Sequence, residues 1–204
     1  VALLSGFPAQ TRTSIMKLPG KSRSLPSLAR SLDSAGYATS FSYGGDLNFT
    51  DQASYMYATG WQELVWQKDL HFATTPSDWG YDDAVMCDWF ADRVIDLDRR
   101  GEPFLAGLLT LSSHKPFDVP FEKFENRILN AFAFSDECVG RMVERLKASP
   151  AWDNLLLVLV ADHGYPYPRS LTYNEPLRHR IPMIWTGGAV AAPCVVEELS
   201  LIHI

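Results

Sequence analysis

The stretch Leu155–Pro166, LLLVLVADHGYP, decides how the rest of the chain is read. Six apolar residues run through Ala161 into Asp162 and His163, and Gly164 follows. A short continuous apolar run bounded by turn formers reads as a fully buried strand. A carboxylate and an imidazole at its end place two good metal ligands at the rim of a sheet. Adjacent strand residues point to opposite faces. Asp162 and His163 therefore reach one ion only if the backbone turns between them, and Gly164 permits such a turn. The competing reading is an aspartate that caps the next turn beside a surface histidine.

Outward from this stretch, strand and helix signals alternate, as they do in α/β folds. YATSFSY (residues 37–43), WQELVW (61–66), PFLAGLLTLSS (103–113) and IPMIWTGG (181–188) read as strands or strand exits. Apolar residues Met86, Phe90, Val94 and Leu97 recur at helical spacing after Asp82, with Arg99, Arg100 and Gly101 as the stop. A second long helix is predicted from about Asn126 to Lys147. SLPSLARSLDSAG (24–36) predicts a helix with Ser24 as N-cap, Pro26 in its first turn and Gly36 beyond its end. TDQASYMYATG (50–60) predicts a short one. Apolar strands between helices imply a mostly parallel sheet sandwiched by helices.

Ligands gather beyond the carboxyl ends of strands in such sheets. Asp162 and His163 lie at one end, Ser112, Ser113 and His114 at a second, and Tyr43, Gly44, Gly45 and Asp46 at a third. Asp46 and Asn48 add polar groups beside paired glycines, but the spacing is not that of a dinucleotide loop. Asp82 and Asp83 suit the start of a helix through its dipole, without any further role. His71 and His179 read as solvated loop residues.

The 204 residues are 47% hydrophobic and 21% charged, with a formal net charge of −6, which argues against a nucleic-acid partner. No apolar stretch reaches the ~20 residues that span a bilayer, and no secretory leader opens the chain. Cys87, Cys138 and Cys194 are odd in number and read as small buried residues rather than a disulfide set. The ends suggest a domain truncated on both sides. Leu199–Ile204, LSLIHI, reads as a foreign tail, which leaves residues 1–198 as one partial catalytic domain.

Five segments in order carry a resemblance: GYATSFSYGGDLNFTDQASYMYATGW (36–61), WGYDD (79–83), PFLAGLLTLSSHKPFDVP (103–120), NAFAFSDECVGRMVERLKASPAWDNLLLVLVADHG (130–164) and RIPMIWTGG (180–188). Together they resemble the sulfatase-like catalytic domain of lipoteichoic acid synthases, within the alkaline phosphatase superfamily, over almost all of residues 1–190. The resemblance implies a metal-dependent transferase or hydrolase acting on a phosphate ester, by phosphoglycerol-type transfer at the cell surface. In such enzymes a threonine alkoxide held on manganese or magnesium attacks the ester, and a covalent intermediate is resolved by an alcohol or by water. Asp162 and His163 match the metal-ligand pair, with zinc a further option, and His114 matches a histidine that contacts the substrate head group. Asp46 and Asn48 are further substrate-binding candidates. The matching nucleophilic threonine is expected upstream of Val1, with an acidic metal ligand further upstream. Thr11, Thr13 and Ser14 fall after the matching point. The chain alone is then expected to be inactive. The resemblance also implies transmembrane helices upstream, anchoring the domain on the extracytoplasmic face of the cell membrane, and admits a lipid-linked substrate.

Two departures keep alternatives open. Thr50, Asp51 and Gln52 stand where aromatic and basic head-group residues are expected, which puts the glycerol-phosphate donor in question. A sulfate-ester hydrolase would carry Cys or Ser followed by x-Pro-x-Arg, and Ser24 and Pro26 are followed by Leu28 instead. A non-catalytic cell-surface binding domain is the third reading.

Overall fold

A computed structural model describes residues 1–8, 14–167, 170–172 and 174–195. Two single-turn helices, α1 (Ala2–Ser5) and α2 (Pro19–Ser22), precede α3 (Leu28–Ser34) and strand β1 (Ala38–Tyr43). Then come α4 (Gln52–Ala58), β2 (Glu63–Trp66), α5 (Asp83–Arg99), β3 (Phe104–Leu109), α6 (Arg127–Lys147), β4 (Leu157–Val160) and β5 (Met183–Thr186). Thr11, Thr13 and the tail Leu199–Ile204 lie outside the described residues.

The α/β architecture expected from the sequence is present. β1 is central in a parallel sheet of order β2-β1-β3. Its register pairs Tyr43 with Trp66 on one side and with Leu109 on the other, so all three strands end level. Period-two alternation then supplies two faces. On β3, Leu105 and Leu109 pack toward a core with Phe41, Tyr43, Met56, Trp61 and Leu64. Phe104, Ala106 and Leu108 pack toward the opposite core, formed by α5 and α6. That core is built on four-residue spacing, with Phe134, Cys138, Met142 and Leu146 on α6 facing Cys87, Phe90, Ala91 and Val94 on α5. Burying a side chain such as Leu146 contributes roughly 1.5–3 kcal/mol, and truncating it to alanine costs about 2–5 kcal/mol.

Local signals set the helix ends. Asp82 caps α5 by accepting from the Ala84 and Val85 amides at 2.9 and 3.2 Å. Asn126 caps α6 in the same way. For α3 the expected cap is displaced by one proline-bounded step. Ser27, not Ser24, accepts from the Arg30 amide at 3.3 Å, and the helix begins at Leu28, after Pro26. Ser27 is the last hydroxyl before the apolar run, and its own hydroxyl donates to the Thr59 carbonyl at the end of α4.

The run at 155–160 departs from expectation. β4 is half-buried rather than fully buried. It pairs antiparallel with β5, with Val160 opposite Met183, in a separate two-stranded sheet. Leu155 and Leu157 still pack on the α5–α6 core. An apolar run reports that a segment is covered, but not which strand covers it. Among the described residues β3 has β1 on one edge and no strand on the other. Cys87 and Cys138 are buried thiols as expected, whereas Cys194 is exposed.

Candidate functional site

Beyond the level ends of β1, β2 and β3, the loops leaving β1 and β2 interlock through glycine. Gly80 has φ +128°, and a Cβ there would lie 2.2 Å from the Gly44 carbonyl oxygen. Cβ atoms on Gly44 and Gly45 would lie 2.5 and 2.6 Å from the Tyr81 and Trp79 carbonyl oxygens. The YGGD and WGY segments therefore touch backbone to backbone, joined by the Tyr81 amide donating to the Gly44 carbonyl at 3.0 Å. This contact explains the paired glycines of the YGGD segment.

Aromatic rings carry the contact on to His114. Phe49 meets Trp79 edge-on at 5.8 Å, and Trp79 lies 4.9 Å from the His114 ring. The loop leaving β3 continues to Phe117, which meets Tyr165 at 5.8 Å, two residues after His163. Trp79, Lys115, Pro116 and Phe117 line an open cavity of about 470 Å³. Phe117 has φ +62°, a backbone region rarely occupied by bulky residues and concentrated at functional loops.

Asp162 and His163 form the other rim. The His163 amide donates to Asp162 Oδ1 at 2.9 Å, so the aspartate does fold over its own turn. His163 Nδ1 lies 3.0 Å from the Gly164 carbonyl oxygen. A carbonyl only accepts, so Nδ1 donates in this contact, and the matching neutral tautomer has its lone pair on Nε2. That Nε2 lies 3.6 Å from Asp162 Oδ2, too far for a hydrogen bond. Two ligands on one cation at ~2.1 Å are about 3.0–3.4 Å apart for octahedral to tetrahedral angles. The observed 3.6 Å lies just outside that range, so the pair would serve as two corners of a divalent-cation site only after a small closing rotation, with the backbone carbonyl orienting the ring. Among the described residues no group of three or more His, Cys, Asp or Glu side chains converges. Gly164 is required for a steric reason as well, since a Cβ there would lie 1.9 Å from the Arg178 carbonyl oxygen.

His114 repeats the tautomer argument: its Nδ1 lies 2.7 Å from the Lys115 carbonyl oxygen, leaving Nε2 outward on an exposed ring. Asp46 and Asn48 are exposed and engage each other, with Asp46 Oδ1 accepting from the Asn48 amide at 2.8 Å and from its side chain at 2.9 Å. Ser113 is half-buried, and Ser112 turns inward.

Two residues do more than the sequence suggested, which placed Tyr43 at a strand end and gave Asp83 only a helix-start role. Tyr43 is buried at the end of β1, and its phenol is pushed up by burial, then by the charges of Asp162, Asp83 and Asp46. All three carboxylates therefore bear on one point. Asp83 is fully buried and crosses from α5 to the loop leaving β3, so the helix dipole is not its main role. Its partners lie 28 to 52 residues away, a separation for which a single sequence carries no signal. The Val1 ammonium is pushed down by burial, and Asp162 acts in the opposite sense.

With this geometry described, known proteins give the family. The family model described as Sulfatase matches residues 1–198. The chain belongs to the sulfatase family. Phosphoglycerol transferase I of Xanthomonas axonopodis pv. citri is 26% identical over 228 aligned residues, covering 97% of this chain and 31% of that protein. The protein of that name from Salmonella arizonae is 27% identical over 148 residues, covering 65% and 19%. The sulfatase-family chain thus spans between a fifth and a third of these curated relatives. A Vibrio parahaemolyticus protein of the alkaline phosphatase superfamily superposes with a TM-score of 0.79 at 25% identity, over 91% of this chain and 47% of that one. The lipoteichoic acid synthase LtaP of Listeria monocytogenes superposes with a TM-score of 0.83 at 20% identity, over 94% and 53%, a likeness of fold.

Proposed function

We propose that this chain is part of the catalytic domain of a metal-dependent phosphoester transferase or hydrolase, working by phosphoglycerol-type transfer. The observation that carries the reading is the Asp162 Oδ2 to His163 Nε2 separation of 3.6 Å, with the histidine tautomer set by Gly164. The names of the phosphoglycerol transferase relatives support the substrate class.

Asp162 and His163 hold the cation, manganese or magnesium by the resemblance and zinc by donor chemistry. When bound, the cation offsets charge on phosphoryl oxygens and lowers the pKa of a coordinated hydroxyl. His114 presents Nε2 to the substrate head group, oriented by Trp79 and the Lys115 carbonyl. Asp46 and Asn48 offer polar contacts on the facing rim. The nucleophilic threonine precedes Val1 in the intact protein. By the same reading, residues 1–204 alone are inactive, and upstream helices anchor the domain on the extracytoplasmic face. Among the described residues no helix is long and apolar enough to cross a membrane.

The test uses the intact protein with its upstream sequence, metal-stripped and then given manganese. Turnover of bis(p-nitrophenyl) phosphate without turnover of p-nitrophenyl sulfate is the expected result. Asp162→Ala abolishes it, and His163→Ala reduces it at least ~10³-fold. Turnover of the sulfate alone would make the protein a sulfuric ester hydrolase. Turnover of neither would favour a binding domain that keeps the fold.

A further inference from the structure

We infer that Asp83 is a positioning residue for His114: its buried carboxylate, clamped to Leu111 and Ser112 in the loop leaving β3, holds that histidine against the substrate. The inference rests on the reading of His114 given above. Asp83 is the first residue of α5 and is 0% exposed. Capping of its own helix falls to Asp82. The Asp83 side chain instead accepts from the Leu111 amide at 2.7 Å, from the Ser112 amide at 3.2 Å and from the Ser135 hydroxyl of α6 at 2.6 Å. The link is reciprocal, since the Asp83 amide donates to Ser112 Oγ at 2.9 Å. The start of α5, the end of β3 and the middle of α6 are thereby tied at one buried point.

The clamp reaches His114 through one turn. The His114 amide donates to the Leu111 carbonyl at 2.9 Å, and the Phe117 amide donates to the His114 carbonyl at 2.9 Å. Fixing Leu111 and Ser112 therefore fixes the turn on which His114 stands. Trp79, in the loop that leads into α5, holds the same ring from outside at 4.9 Å. One segment, Trp79 to Asp83, thus supports His114 by its backbone and by its ring. A carboxylate suits this clamp for a physical reason: it offers only acceptors, and all three partners are donors. Asparagine keeps the shape but turns an N–H₂ toward one of those donors.

The experiment is a double-mutant cycle in the intact, manganese-loaded protein, with KM and kcat for bis(p-nitrophenyl) phosphate and bound metal measured for each variant. The variants are Asp83→Asn, His114→Ala, the double substitution, and Ser112→Ala as a milder cut of the same clamp. Asp83→Asn is expected to raise KM about 10-fold with metal content unchanged, and to add less than 2-fold once His114 is alanine. Ser112→Ala is expected to raise KM about 3-fold, with the same loss of effect in the His114→Ala background. Independent, multiplying effects, or an unchanged KM in both Asp83→Asn and Ser112→Ala beside a raised KM in His114→Ala, would overturn the positioning role while leaving His114 in place. An unchanged KM in His114→Ala would instead remove the substrate contact itself, and the inference with it.

Discussion

The loop leaving β3 and the loop leaving β4 carry similar chemistry on different supports. His114 stands on a turn whose root is pinned by a fully buried carboxylate and backed by the parallel sheet. Asp162 and His163 stand at the end of a half-buried strand, with side chains 65% and 67% exposed, tied mainly to their own backbone. The difference separates two ways of placing a functional side chain. The β3 exit is preorganised by hydrogen bonds that folding must complete, since a buried backbone amide left unpaired is costly. The β4 exit is shaped by a local tautomer and a turn, and a bound cation would supply the rest.

The largest expected break in this comparison is Asp83→Ala. It leaves the Leu111 and Ser112 amides and the Ser135 hydroxyl without their acceptor. At about 1–3 kcal/mol per buried unsatisfied group, with partial relief by water, the loss should reach about 3–5 kcal/mol. Urea unfolding measures it as a lower midpoint at constant slope. Gly80→Ala should come next, at about 2–4 kcal/mol, because φ +128° and the 2.2 Å approach to Gly44 cannot be relieved together. Gly101→Ala is its internal control: φ is +72° with nothing within 4 Å, and the expected cost is only about 1 kcal/mol.

Much of this contrast was legible in the sequence, and the rest was hidden for identifiable reasons. The caps Asp82 and Asn126, the helical stripes of α5 and α6 and the strand positions are local patterns, and local patterns are what a sequence displays. Asp162, His163, His114, Asp46 and Asn48 stand out because they follow apolar strands. The convergence of their loops depends on Gly80 meeting Gly44 and on Phe117 meeting Tyr165, contacts between distant segments. Asp83 was misread because its neighbour Asp82 explains an acidic helix start well enough. The antiparallel pairing of β4 was not foreseen because apolarity specifies burial and leaves strand direction open.

A smaller effect sharpens the comparison through pH. Burial pushes the Asp83 carboxyl up, and the amides of Leu111 and Ser112 and the Ser135 hydroxyl only partly oppose it. The folded state then holds a proton at pH values where the unfolded chain has already lost it. Wherever the native state binds more protons, stability falls as pH rises. Asp83 therefore contributes a penalty at neutral pH that is relieved on acidification, between its raised folded value and the ordinary carboxylate value of ~3.9. Exposed Glu137 runs the other way, pulled down by Lys123, so total stability does not isolate the effect. The difference between wild type and Asp83→Asn does: the stability advantage of wild type should grow as pH falls from 7 toward ~4.5. A flat difference would mean that Asp83 is less desolvated than its burial implies.

The smallest expected effects belong to the β4 exit. Asp162→Asn and His163→Ala alter side chains that are largely solvated, so without metal each should change unfolding free energy by no more than ~0.5 kcal/mol. Set against the loss at Asp83, this tests whether the two loops differ in support as described. Manganese then supplies the missing half of the argument. A ligand that binds only the folded state stabilises it by RT ln(1 + [L]/Kd), which is ~0.4 kcal/mol when its concentration equals Kd. Two protein ligands hold a hydrated cation weakly, so millimolar manganese should give residues 1–204 a gain of that order, absent in both variants. A gain that survives in Asp162→Asn would place the cation elsewhere on the chain. A gain of several kcal/mol in wild type would mean that further ligands already complete the site within these residues.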